Sequence, residues 1–177
     1  MKSLTDCYVL NNGVKIPCVG FGTWQTPDGD VAVSAVKAAL ECGYRHIDTA
    51  ADYQNEASVG RAIRESGIPR EELFVTSKLL SREHDYGATM MGFERTMKNL
   101  GLEYLDLYLI HWPNPLKFRE YGTDANVGSW KAMEELYHAG RIRAIGISNF
   151  RVHHMQALMD RIDVKPAVNQ MRLCPGA

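Results

Sequence analysis

The sequence predicts an α/β fold, an incomplete (β/α)8 TIM barrel with strands 1–6 and helices 1–5, and three observations carry that expectation. Strand-like and helix-like segments alternate from residue 18 to residue 170, and alternation of this regularity demands a parallel sheet. Gly43, Gly67, Gly101 and Gly140 each close a helical pattern, as expected of residues that take the left-handed conformation at a helix end. Polar residues stand where apolar strands meet the loops that follow them, which is how a barrel mouth is built.

The elements follow in order. A probable hairpin, "YVLNNGVKI", turns at Asn11-Asn12-Gly13. "CVGFGTW" reads as the first strand of the main sheet. Residues 29–42 place Ala32, Val36, Ala39 and Leu40 on one helical face. "HID" is the second strand and Asn55 to Ser66 the second helix. "LFVTSK" is a third strand, followed by a helix over 88–100 with Met90, Phe93, Met97 and Leu100 on one side. "LDLYLIH" is a continuous apolar strand broken by Pro113, and Ser129 to His138 is helical. "RAIGIS", a helix over "RVHHMQALMD" and a sixth strand "AVNQ" complete the pattern. A doubly wound dinucleotide fold is the competing architecture. It needs G-x-G-x-x-G after the first strand, and "GFGTWQ" lacks the third glycine.

Composition narrows the function classes. The 177 residues suit one domain with a sizeable core, and a net charge of −1 gives no electrostatic footprint for nucleic acid or an acidic membrane. No apolar run approaches a membrane span, and "MKSLTDCYVL" has no signal-peptide core. Cys7, Cys18, Cys42 and Cys174 have neither CxxC nor metal-ligand spacing, so no metal is expected and a reducing cytoplasm is.

The strand ends hold the candidate chemistry. Strand two ends at Asp48, strand three at Lys78, strand four at His111, strand five at Ser148-Asn149 and strand six at Asn169-Gln170, with Tyr53 five residues beyond Asp48. A free phenol, with a pKa near about 10, is a poor proton donor at neutral pH. An ammonium beside it stabilises the phenolate, and a carboxylate keeps a partly buried ammonium charged. An imidazole can hold a carbonyl oxygen by a hydrogen bond. The set suits proton donation to a carbonyl, with a hydride left for a cofactor to bring.

"GYRHIDTAADYQNEASVG", "TSKL", "DLYLIHWP" and "GRIRAIGISNF" resemble, in order and spacing, the signatures of the aldo-keto reductase family. The resemblance runs from about Leu10 to Gln170. It implies a (β/α)8 barrel with an N-terminal hairpin at its bottom, reducing aldehydes and ketones with NADPH, NADH being a possible substitute. It implies Tyr53 as proton donor, Lys78 and Asp48 as the pair that tunes it, and His111 as the residue orienting the carbonyl. Ser148, Asn149 and Gln170 would hold the nicotinamide carboxamide, with Gly22, Thr23 and Asp48 among the cofactor contacts. Trp24 and Trp112 would wall the substrate pocket.

Two departures accompany the resemblance. Leu80 and Ser81 stand where the family often has Trp-Asn, and after Gln170 the family continues through further strands, helices and phosphate-binding loops. The sequence therefore reads as a single oxidoreductase domain over 1–177, truncated at its C-terminus. It is expected to self-associate through open barrel edges and to have a small carbonyl substrate. Two readings stand beside the enzyme: a catalytically silent fragment that acts by association with another chain, and a module that senses nicotinamide without turnover.

Overall fold

The computed structural model describes residues 3–113, 115, 120 and 122–174. Strands β1 (Cys7–Val9) and β2 (Lys15–Pro17) form an antiparallel hairpin, Cys7 opposite Pro17. The main sheet contains β3 (Phe21–Gly22), β4 (His46–Asp48), β5 (Phe74–Leu79), β6 (Leu107–Ile110), β7 (Ile145–Ser148) and β8 (Asn169–Gln170). Its order is β3-β4-β5-β6-β7-β8 and every pairing is parallel. The crossovers are α1 (Asp30–Glu41), α2 (Glu56–Ser66), α3 (Tyr86–Leu100), α4 (Gly122–His138) and α5 (Val152–Met159).

The sheet is curled. In a flat sheet β4 and β8 would lie about 19 Å apart, four strand spacings, yet Gln170 Nε2 on β8 lies 2.8 Å from Asp48 Oδ2 on β4. The six strands thus form part of a barrel wall, with one face turned inward and the other toward the helices.

Strand alternation sorts the core accordingly. On β5, Val75 and Leu79 join the larger apolar cluster with Ile47, Tyr108, Ile110, Ile145 and Ile147, packed against α1 to α5. Phe74, Leu107, Leu109 and Ala144 form a separate inner cluster, against which Leu10, Val14 and Ile16 of the hairpin pack. Asn11 Nδ2 donates to Pro166 O at 3.1 Å and Asn12 Nδ2 to Arg143 O at 3.0 Å. The hairpin therefore plugs the N-terminal end of the strands, opposite the polar strand ends. At that lower end Asp106, fully buried, pairs with Arg70 and Arg143 at 2.7 Å each and accepts the Val75 N–H at 2.9 Å. A buried carboxylate persists only with such compensation.

Strand and helix ends differ from the sequence expectation by a few residues throughout, α3 starting at Tyr86 and β8 covering only Asn169–Gln170. The first strand is limited to Phe21–Gly22. Two short 3₁₀ turns, Ala51–Tyr53 and Arg70–Glu72, were not anticipated. Helix α4 begins at Gly122 rather than Ser129. Asp124, Asn126 and Gly128 look like loop residues, but Asn126 is buried and donates to Pro113 O at 2.7 Å. Val127 is buried as well, and packing overrides the weak local propensity.

Two expected outcomes follow from the packing. An alanine Cβ at Gly60 would lie 2.0 Å from the Leu100 carbonyl oxygen, which is backbone and cannot swing away. Gly60→Ala, normally helix-stabilising, should here cost about 1–3 kcal/mol, read as a lower urea midpoint. His84 is fully buried, and desolvation lowers its pKa from 6.5 to about 4, a hydrogen bond with Asn126 offsetting only part of this. The unfolded chain takes up a proton near pH 6.5 and the folded chain does not until about 4. His84 burial should therefore cost stability as pH falls from 6.5 to about 4, reaching about 3 kcal/mol. Urea titrations at pH 7 and pH 4.5, compared with His84→Gln, should show the variant losing less stability on acidification.

Candidate active site

The site is built from the loops leaving the C-terminal ends of the strands. After Asp48 the chain runs through Thr49 and Ala50 into the Ala51–Tyr53 turn, then through Gln54 at φ 58°. Gln25 at φ 61° and Asn149 at φ 63° are also left-handed non-glycine residues at strand mouths. Such conformations persist only where surrounding contacts hold them.

Asn55 is one source of that hold. It is fully buried, and its Nδ2 donates to Thr23 O at 2.9 Å and Thr26 O at 3.0 Å. Its Oδ1 accepts from Thr49 Oγ1 at 3.0 Å and Thr23 Oγ1 at 3.3 Å. This amide, fully satisfied, ties the loop carrying Trp24 to the loop carrying Tyr53. Sequence reading passed over it. An Asn just before a helix suggests a cap, but its side chain makes no capping bond.

Lys78 is fully buried on the inner face of β5. Its ammonium donates to Asp48 Oδ1 at 2.5 Å, Thr49 O at 2.9 Å and Tyr53 Oη at 3.2 Å, so all three of its N–H groups are engaged. Asp48 divides its oxygens between Lys78 and Gln170 Nε2. The Tyr53 ring meets His111 edge-on, with centroids 5.7 Å apart at 77°. His111 Nδ1 lies 2.9 Å from Asp52 Oδ2, and that same oxygen accepts Ser81 Oγ–H at 2.5 Å and Ser81 N–H at 3.1 Å. Burial alone would raise the Asp52 pKa. The hydrogen bonds from His111 and Ser81 outweigh it and hold the carboxyl below its ordinary range. Asp52 escaped the sequence reading; its position beside Tyr53 in a polar turn was the available signal.

The strand-end side chains converge. A cleft of about 590 Å³ is lined by Trp24, Tyr53, His111, Trp112, Ser148, Asn149 and Gln170, together with Asp52, Ser81, Met171, Arg172 and Cys174. Trp24 and Trp112 are exposed at its rim. Lys78 and Asp48 lie behind Tyr53. Gly22 pairs in register with Asp48 and is exposed, whereas Thr23 is buried with its hydroxyl turned toward Asp48 O and Asn55. Thr23 therefore presents no free hydroxyl to the cleft. Pro175, Gly176 and Ala177 lie outside the described residues.

A nicotinamide carboxamide has one carbonyl and one NH₂, and Ser148, Asn149 and Gln170 line the cleft with groups that could meet them. Ser148 Oγ–H donates to Gln170 O at 3.0 Å, and Asn149 Nδ2 donates to His111 O at 3.0 Å and Ser148 Oγ at 3.1 Å. Gln170 Nε2 has one bond, to Asp48, and therefore a second N–H to give. Asn149 Oδ1 and Gln170 Oε1 accept nothing among the described residues. One open donor beside two open acceptors complements a carboxamide.

The model of the aldo/keto reductase family matches residues 18–176. The chain is 48 % identical over 170 residues to a 9,11-endoperoxide prostaglandin H2 reductase of Trypanosoma cruzi, covering 96 % of this chain and 57 % of that protein. It is 47 % identical over 173 residues to a glyoxal reductase of Bacillus subtilis, covering 98 % and 60 %. Among solved structures, an aldo/keto reductase from Brucella melitensis superposes with a TM-score of 0.89 at 44 % identity, covering 96 % of this chain and 63 % of that one. A Bombyx mori aldo-keto reductase in complex with NADP superposes with a TM-score of 0.84 at 35 % identity, covering 97 % and 59 %. The chain spans about three fifths of the length of these relatives. On the family match and on identities near one half across nearly its whole length, the chain belongs to the aldo/keto reductase family.

Proposed function

We propose that this chain carries the proton-transfer machinery of an NADP(H)-dependent carbonyl reductase that converts small aldehydes or ketones to alcohols, as one oxidoreductase domain over residues 1–177. NADH is the alternative cofactor. The observation that carries the reading is the Tyr53 hydroxyl 3.2 Å from a buried Lys78 ammonium, itself 2.5 Å from Asp48, at the wall of a cleft shared with His111. The relative bound to NADP supports the cofactor class, and the relative named as a glyoxal reductase supports small carbonyl substrates.

A bound dihydronicotinamide supplies the hydride in this chemistry. The chain's residues do the rest. Gln170 and Asn149 would hold the carboxamide through the open donor and acceptors described above. His111 orients the carbonyl oxygen, and Tyr53 Oη gives it a proton as charge develops there. Lys78 stabilises the resulting phenolate, and Asp48 keeps the ammonium charged in its buried place. Trp24 and Trp112 offer apolar walls that exclude water from the reacting atoms.

Location and assembly belong to the same reading. No helix among the described residues is long and apolar enough to cross a membrane, and all four cysteines are free, which supports a reducing cytoplasm. The edges of β3 and β8 are where self-association would occur.

Tyr53→Phe should lower the kcat of carbonyl reduction by about 10²–10⁴-fold, the range for a positioned general acid. Nicotinamide binding, read by quenching of Trp24 and Trp112 fluorescence, should barely change. Wild-type turnover in the phenylalanine variant would remove Tyr53 from the mechanism. Lys78→Met should lower kcat more than Asp48→Asn, because the lysine touches the phenol and the aspartate acts through it. Equal losses, or a larger one at Asp48, would reverse that order of roles.

A further inference from the structure

Asn55 makes more bonds than a loop brace requires. Bracing the turn that carries Trp24 takes only Nδ2, which donates to Thr23 O at 2.9 Å and Thr26 O at 3.0 Å. The other end of the amide faces the site, where Oδ1 accepts the Thr49 hydroxyl at 3.0 Å. Both carbonyls can only accept, so the NH₂ must face them and the amide oxygen must face the hydroxyl. Asn55 and Thr49 are both fully buried.

Two of the three acceptors around the Lys78 ammonium come from one dipeptide, the Asp48 carboxylate at 2.5 Å and the Thr49 carbonyl at 2.9 Å. That dipeptide is held from both sides. Thr49 N–H donates to Thr76 O at 2.9 Å toward β5, and Thr23 N–H donates to Asp48 O at 2.9 Å from beyond β3. Asn55 reaches both residues, Asp48 through Thr23 and Thr49 through its hydroxyl. Thr49 lies one residue past the end of β4, and the paired register stops at Asp48 and Thr76. Beyond that point no strand pairing fixes the direction of the Thr49 carbonyl, and the bond from its hydroxyl to Asn55 supplies the missing hold.

We propose that Asn55 is a positioning residue for the proton donor. Through Thr49 it aims the Asp48–Thr49 acceptors at the Lys78 ammonium, and so keeps that ammonium 3.2 Å from the Tyr53 hydroxyl. Its effect on turnover rests on the carbonyl-reduction reading; its hold on Lys78 does not.

Thr49→Val removes the bond to Asn55 while nearly keeping the side chain's shape, and Thr49→Ser keeps the bond. Nitrogen-15 NMR of the Lys78 ammonium, in the whole chain without substrate or cofactor, tests the hold. The ammonium protons should exchange slowly with water in the wild type and in Thr49→Ser. In Thr49→Val the resonance should shift and the exchange quicken. An ammonium equally protected in Thr49→Val would overturn the proposal. In the kinetic arm, Thr49→Val should lower kcat for reduction by about tenfold, part of the ~10²-fold that a misplacement of about 1 Å can cost. Nicotinamide affinity should be unchanged, and Thr49→Ser should recover most of the loss. A purely structural bond would lower the urea midpoint and leave the kcat of folded Thr49→Val at the wild-type value, and that outcome would overturn the positioning role. Asn55→Ala also frees Thr23 and Thr26, so it should lose more kcat than Thr49→Val; a smaller loss would overturn the role of Asn55. Should Asn55→Ala fail to fold, the two threonine variants decide. A wild type with no carbonyl reduction would sink the proposed function, and the NMR comparison would then decide Asn55 by itself.

Discussion

A buried ammonium sets the terms for the upper half of this molecule. Lys78 is wholly removed from water, and an ion in that position costs several kcal/mol unless its charge and all its donors are met. Meeting them requires Asp48 from β4, the Thr49 carbonyl and the Tyr53 hydroxyl from the turn beyond it. Each partner is then constrained in turn. Asp48 is held by Gln170 from the far end of the sheet, so the charge pair also bears on how the wall curls. Tyr53 cannot drift from the ammonium without leaving an N–H unpaired in the interior.

The register of the sheet makes this possible. Asp48 pairs with Thr76 on β5, so Lys78, two residues further along the same face, stands above it toward the cleft. Below, the inward positions are apolar or neutral, with Phe74 and Leu107 against the hairpin, while Leu109 pairs with Lys78 on one side and Gly146 on the other. Gly146 is small for a reason, because a Cβ there would come within 2.7 Å of Leu109 and of the Val168 carbonyl. The interior thus grades from a packed apolar base to a polar mouth, and the hairpin seals the end without chemistry.

Rigidity at the mouth comes from amides and carboxylates that join neighbouring loops. Asn55 joins the loops after β3 and β4, Asp52 joins those after β4 and β5 to the end of β6, and Asn149 donates back to the end of β6. These links hold left-handed conformations at Gln25, Gln54 and Asn149. A site assembled from the ends of several strands needs such ties, since each loop alone would pay more ordering entropy than its own contacts return.

Much of this was legible in the residues. Alternating periodicities announced parallel β and α units, and glycines such as Gly67 and Gly101 marked the helix ends because both sit at positive φ. Polar residues ending apolar strands located Asp48, Lys78, His111, Ser148 and Gln170, since a lysine inside a buried strand has no cheap structural explanation. What the linear order could not reveal were relations across loops. The start of α4 depended on Asn126 finding a carbonyl at Pro113. Thr23 looked free to meet a cofactor until Asn55 claimed its hydroxyl. Asp52 read as one more polar turn residue, because nothing in sequence separations of 29 to Ser81 and 59 to His111 signals a hydrogen bond. Local pattern determined the elements and the chemistry each strand end presents. Only the closing of the sheet decided which of those groups touch, because contact depends on curl, register and loop path, which no local stretch of chain encodes.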